Sequence, residues 1–180
     1  GAISAAWRIK NPALKQTIHG IKFPNPVGLA AGFDYDAHLT QILPALGLGF
    51  ASVGTVTNNP YGGNPRPMLA RLPKSQSLLV NKGFKSAGIH AVLAHLQSLH
   101  FEIPIGISLG KTNSQTPMTQ AEAVADIVAA FKAVQNSTIP FSYYEMNISC
   151  PNLFGNIEFY APNHLDELLT ALDALNLNKP

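Results

Sequence analysis

Val27-Gly28-Leu29-Ala30-Ala31-Gly32-Phe33-Asp34-Tyr35-Asp36 is the stretch on which the fold turns. Val27 to Ala31 is a continuous run of small and apolar side chains, the pattern of a strand buried on both faces, as in a parallel sheet. It opens into a glycine and an acidic cluster rather than into a helix. The Gly-x-Gly-x-x-Gly turn that starts a dinucleotide-binding sheet is absent after it, which removes the fingerprint of a doubly wound fold. His38 to Leu46 then carries Leu39, Ile42, Leu43 and Leu46 at helical spacing and stops at Gly47. The spacing predicts a first βα unit.

Working outward, Ile18 to Phe23 reads as a small hairpin around Gly20, ended by Pro24-Asn25-Pro26. Downstream the unit repeats. Phe50 to Val56 predicts a strand, Asn58 to Pro67 a glycine- and proline-rich passage, and Ile89 to Leu99 a helix, with Met68 to Leu72 and Ser77 to Val80 as an inserted strand pair. Ile103 to Leu109 and Gln120 to Val134 form a third strand and helix, Phe141 to Ile148 and His164 to Leu175 a fourth. Strands alternating with helices imply a parallel α/β sheet. Polar or glycine-rich residues follow the C-terminal end of every strand, as the active face of a (β/α)8 TIM barrel requires. A whole barrel takes roughly 250 residues. Four units therefore read as about the first half of one, residues 17–180.

A composition of 46% hydrophobic and 12% charged residues is that of a globular chain and excludes disorder. Twelve basic residues against ten acidic ones, scattered rather than clustered, exclude a nucleic-acid surface. No apolar run approaches the ~20 residues that cross a bilayer. The single cysteine, Cys150, forbids an internal disulfide and suits a reducing, cytoplasmic setting. No metal is assigned.

Four segments could carry chemistry. Gly28 to Asp34 would let a flat ring approach, although a tightly packed strand explains the small residues equally. Val53-Gly54-Thr55-Val56-Thr57 ends a strand with hydroxyls, which a β-branched strand also accounts for. Asn81-Lys82-Gly83-Phe84 offers an amide that both donates and accepts, or simply a polar turn. Asn147-Ile148-Ser149-Cys150-Pro151-Asn152 is the most informative. A thiol of ordinary pKa ~8.5 can abstract a proton once positioned. A lone cysteine is more often a small core residue, but here it stands at a strand end between two amides, beside a rigid proline.

Together these segments resemble the dihydroorotate dehydrogenase family from about Pro12 onward. The resemblance rests on Asn25 to Asp34, Gly54 to Thr57, Gly63-Asn64-Pro65-Arg66-Pro67 with Arg71-Leu72-Pro73, and Asn147 to Asn152. It implies FMN at the mouth of the barrel, hydride transfer from C6 of dihydroorotate, proton removal from C5, and orotate as product in pyrimidine synthesis. It further implies that Ala31, Gly32, Phe33, Asp34, Tyr35, Thr55 and Ser108 face the flavin and that Asn147 touches both flavin and substrate. Tyr35, Asn81, Lys82, Gly83, Phe84 and Asn152 would line the substrate pocket, with Cys150 as the base.

Three positions depart from the family pattern. Tyr35 replaces a usual lysine, Ser108 stands where the quinone-reducing class has Asn, and Cys150 is typical of soluble classes although Leu109-Gly110-Lys111 and Thr116-Pro117 resemble the quinone-linked one. The resemblance implies residues 1–16 as the remnant of an N-terminal extension, quinone as acceptor, peripheral contact with the inner face of the membrane, and the other barrel half or a second chain as a partner. Rival readings are another FMN barrel acting on a reduced pyrimidine, such as a dihydropyrimidine dehydrogenase domain or a tRNA dihydrouridine synthase, and a catalytically silent half-barrel.

Overall fold

Alternation of apolar with small residues along Ile105-Gly106-Ile107-Ser108-Leu109-Gly110 explains the architecture. In the computed structural model, which describes residues 11–155 and 159–180, Ile105, Ile107 and Leu109 are fully buried in the main apolar core, while Gly106, Ser108 and Gly110 face the other side of the sheet. The elements in chain order are β1 (Gln16–Ile18), β2 (Ile21–Phe23), β3 (Gly28–Leu29), β4 (Phe50–Thr57), β5 (Leu69–Leu72), β6 (Ser77–Val80), α1 (Ile89–Leu96), β7 (Ile105–Gly110), α2 (Gln120–Gln135), β8 (Tyr143–Met146) and α3 (Pro162–Asp173). The expected N-terminal extension falls outside the described residues as far as position 10. Beyond it, Pro12–Leu14 forms one 3-10 turn capped by Asn11.

β3, β4, β7 and β8 pair in that order, all parallel, into one four-stranded sheet. This is the strand order of consecutive units around a (β/α)8 barrel, and α1, α2 and α3 follow the second, third and fourth strands. β1 with β2 and β5 with β6 form separate antiparallel hairpins, as the sequence implied. His19 and Gly20, at φ 48° and 78°, make the tight left-handed turn of the first.

α2 begins with a capping box, in which the Glu122 N–H donates to the Thr119 hydroxyl and the Glu122 carboxylate accepts from the Thr119 backbone. Its Ala123, Ile127, Ala130, Phe131 and Val134 then fall on one buried stripe.

One expectation fails. The helix predicted over His38 to Leu46 is only a 3-10 turn, Leu43–Leu46, closed by Gly47 at φ 86°. Pro44 has no N–H to give to a carbonyl four residues back. The Asp34 carboxylate accepts the backbone N–H groups of His38 (2.7 Å) and Leu39 (2.8 Å), so the chain is anchored to a side chain instead. The first unit is therefore a strand followed by an irregular connection.

Candidate functional site

The site is built where the parallel strands end. β4 pairs with β7 up to Val53 and again from Val56, with a register shift between. Gly54 takes up the irregularity at φ 113°, a conformation that glycine tolerates, and a β-carbon there would strike the Ser108 carbonyl. Its backbone binds the loop after β3: Gly32 N–H donates to the Gly54 carbonyl (2.6 Å), and Gly54 N–H to that of Asp34 (3.0 Å). The bulge brings Thr55 to Ser108 (Oγ1 to Oγ, 3.1 Å) and to Asn147, whose Nδ2 donates to Thr55 Oγ1 (2.8 Å). Three strand ends thus meet in one hydroxyl–amide cluster. Gly110 leaves the space in which the Phe84 ring packs against it.

Above this cluster lies a pocket of about 280 Å³, walled by Ala31, Gly32 and Tyr35 from the first loop, Thr55 from β4, Val80 to Lys85 without Asn81 from the second, and Asn147 with Ser149 to Asn152 from the fourth. Its size is near the lower bound of small-molecule sites, roughly 300 Å³. A second hollow, about 190 Å³, opens on the other side of the Cys150 loop and includes Lys111. Cys150 stands between the two. Burial pushes its thiol up from the ordinary value, and a hydrogen bond with the Asn152 backbone offsets part of that rise. Burial likewise lowers the Lys111 ammonium, partly countered by Asp126.

Tyr35 is flanked by two cations. Lys82 Nζ lies 4.5 Å and Lys85 Nζ 5.4 Å from its ring centroid, and Lys85 also donates to the phenol oxygen at 3.3 Å. The turn that carries them holds Gly83 and Phe84 in left-handed conformations, φ 63° and 58°.

Of the residues expected at the site, Ala31, Gly32, Tyr35, Thr55, Lys82, Gly83, Phe84, Asn147, Cys150 and Asn152 share the pocket wall. Ser108 is fully buried beneath it. Asp34 is 5% exposed and bound to the backbone of the following turn, and Phe33, 70% exposed, is not part of the wall. Asn81 stands behind the wall, its Oδ1 accepting from Asn64 Nδ2 at 2.9 Å. Sequence reasoning gave no role to Asn64 or Asn113, both buried and both bonded to the pocket loops. Asn64 lies within a quoted motif. Nothing in the sequence distinguishes Asn113 from a surface loop residue.

A family model described as dihydroorotate dehydrogenase matches residues 13–180. A protein from Synechococcus sp. (strain JA-2-3B'a(2-13)), described as dihydroorotate dehydrogenase (quinone), is 40% identical over 180 residues, covering 98% of this chain and 46% of its own. One of the same description from Mycobacterium ulcerans (strain Agy99) is 41% identical over 162 residues, covering 90% and 43%. A crystal structure of ligand-free DHODH from Eimeria tenella aligns with a TM-score of 0.78 at 32% identity, over 92% of this chain and 46% of that one. The chain thus spans about half the length of the curated relatives it matches.

Proposed function

Because the chain belongs to the dihydroorotate dehydrogenase family, a flavin-dependent one, we propose that it supplies the base-bearing half of an enzyme that oxidises dihydroorotate to orotate, with FMN as the flavin. The observation that carries this reading is the convergence of Cys150, Asn147, Asn152, Phe84 and Thr55 on one pocket at the strand ends.

The residues present fit a flavin. At Gly32 a β-carbon would meet nothing within 4 Å, so the wall there is open to a planar ring. Thr55 and Asn147 bring a hydroxyl and an amide to the wall that can pair with ring nitrogens and carbonyls, and Ser108, buried beneath, holds the Thr55 hydroxyl in place. When bound, a flavin would supply the acceptor for the hydride lost from C6 of the substrate. The Cys150 thiolate takes the proton from C5, becoming the thiol, and the C5–C6 double bond of orotate forms from the electrons left behind. Asn147 and Asn152 can pair with the alternating N–H and C=O groups of the pyrimidine ring, which fixes C5 against the sulfur.

Quinone is the proposed oxidant of the reduced flavin, supported by the description of the curated relatives. A cytoplasmic position touching the inner face of the membrane goes with it, because such quinones are lipid-soluble. Anaerobic addition of dihydroorotate to the flavin-loaded full-length protein should bleach the flavin absorbance and yield orotate. A flavin that stays oxidised would refute the reading.

A further inference from the structure

Two buried amides bind the two loops that form the pocket to each other. Asn64 is 7% exposed and uses its whole hydrogen-bonding capacity. Its Oδ1 accepts from Tyr61 Oη (2.7 Å) and Asn113 Nδ2 (3.2 Å), while its Nδ2 donates to Asn81 Oδ1 (2.9 Å) and to the Asn152 carbonyl (2.8 Å). Asn113, 2% exposed, donates to the Gly83 carbonyl (2.9 Å) and accepts from Phe154 N–H (2.8 Å). Gly83 has no room for a side chain, since a β-carbon would run into both amides. One partner set belongs to the 81–84 turn, the other to the segment just after Cys150.

We propose that Asn64 and Asn113 are positioning residues that latch the Cys150 loop against the Asn81–Phe84 turn and thereby set where the sulfur stands in the pocket. Neither amide lines the pocket. Both act through the backbone of residues that do, or that adjoin it, across sequence separations of up to 88 residues. Buried amides so fully engaged are costly to remove, because each lost partner leaves another polar group unsatisfied. Loss of either should free the loop and let solvent reach the thiol. A displacement of about 1 Å at a reacting group can cost roughly 10²-fold in rate.

The thiol itself is the readout, independent of flavin or substrate; only the catalytic arm of the test rests on the function proposed above. Iodoacetamide alkylation of the full-length protein is followed on the Cys150 peptide by mass spectrometry as a function of pH. Asn64→Ala and Asn113→Ala are expected to alkylate roughly tenfold faster at a fixed pH, with the midpoint moved to lower pH as burial is relieved, and the isosteric Asn64→Asp to alkylate faster once the thiolate has formed, its added carboxylate opposing the downward move. Thr119→Ala, which breaks the remote α2 cap, is the control for general loosening and should match wild type. In the flavin-loaded protein the same Asn variants should reduce flavin roughly 10²-fold more slowly at saturating dihydroorotate. Wild-type alkylation in all three Asn variants, or an equal shift in Thr119→Ala, overturns the latch. If dihydroorotate fails to reduce even the wild-type flavin, the proposed reaction falls, and the thiol arm still decides for or against the latch.

Discussion

A base must be ionised to work, and Cys150, the one proposed, is buried enough that its thiol sits above the ordinary value. The rising limb of kcat/KM with pH should therefore lie on the alkaline side of that value, one proton lost per active site. Cys150→Ala should keep flavin binding and slow flavin reduction by roughly 10²- to 10⁴-fold, the usual worth of a general base. Cys150→Ser should retain part of the activity with its limb displaced further up, because a hydroxyl ionises less readily than a thiol. Stopped-flow reduction across a pH series checks all three. Near-normal reduction in the alanine variant would remove the thiol from the mechanism. Beside it, Lys82 and Lys85 bracket Tyr35, and among the described residues neither makes an ion pair with a carboxylate. Two ammonium groups on a pocket rim favour an anion, and a charged hydrogen bond contributes about 1.5–3 kcal/mol. Lys82→Ala or Lys85→Ala should thus raise the KM for dihydroorotate roughly tenfold or more, while Tyr35→Lys should be tolerated. Unchanged KM in both alanine variants would assign the substrate carboxylate to another group.

At the scale of elements, the bulge in β4 is what converts a sheet into a site. Gly54→Ala would place a β-carbon against the Ser108 carbonyl in a left-handed backbone, a strain of about 1–3 kcal/mol before any clash is counted. The expected result is a lower urea midpoint and weakened flavin binding, because Thr55 leaves its place between Ser108 and Asn147. Equal flavin affinity in the variant would show that the bulge serves the sheet alone. The strands were legible because periodicity is local: the alternation in Ile105 to Gly110 and the stripe in α2 can be read without knowing any partner. The turn over His38 to Leu46 was misread because its leucines keep helical spacing although Pro44 and the Asp34 carboxylate decide the backbone. Most pocket residues were legible through quoted motifs. The Asn64 and Asn113 contacts were not, since, the Tyr61 bond apart, they span 17 to 88 residues and leave no periodic trace.

At the scale of the whole molecule, the four-stranded sheet is an arc. β3 and β8 are its outer strands, and among the described residues each is paired with one strand only. At the β8 edge the Tyr144 N–H donates to the Pro180 carbonyl at 2.8 Å and the Tyr144 hydroxyl to Asn178 Oδ1 at 3.2 Å. Near the N-terminal ends of the strands, an apolar hollow of about 450 Å³ lies among Ile18, Ile21, Phe23, Phe50, Tyr143 and Tyr144, with Ile18 still 50% exposed. Unpaired strand edges beside exposed apolar surface are templates for pairing with another chain, and barrels remove them by closure. The matched relatives are about twice as long, which is more than the roughly 250 residues that eight strands and their helices take. A polypeptide of these 180 residues alone is therefore expected to self-associate and to bind FMN weakly. Co-expression with a segment carrying the remaining strands should turn it into a discrete species that binds the flavin tightly. Size-exclusion chromatography with light scattering, combined with a flavin titration, reads both properties at once. A monodisperse monomer that binds FMN tightly by itself would show that the arc already satisfies its edges and holds every group the flavin needs.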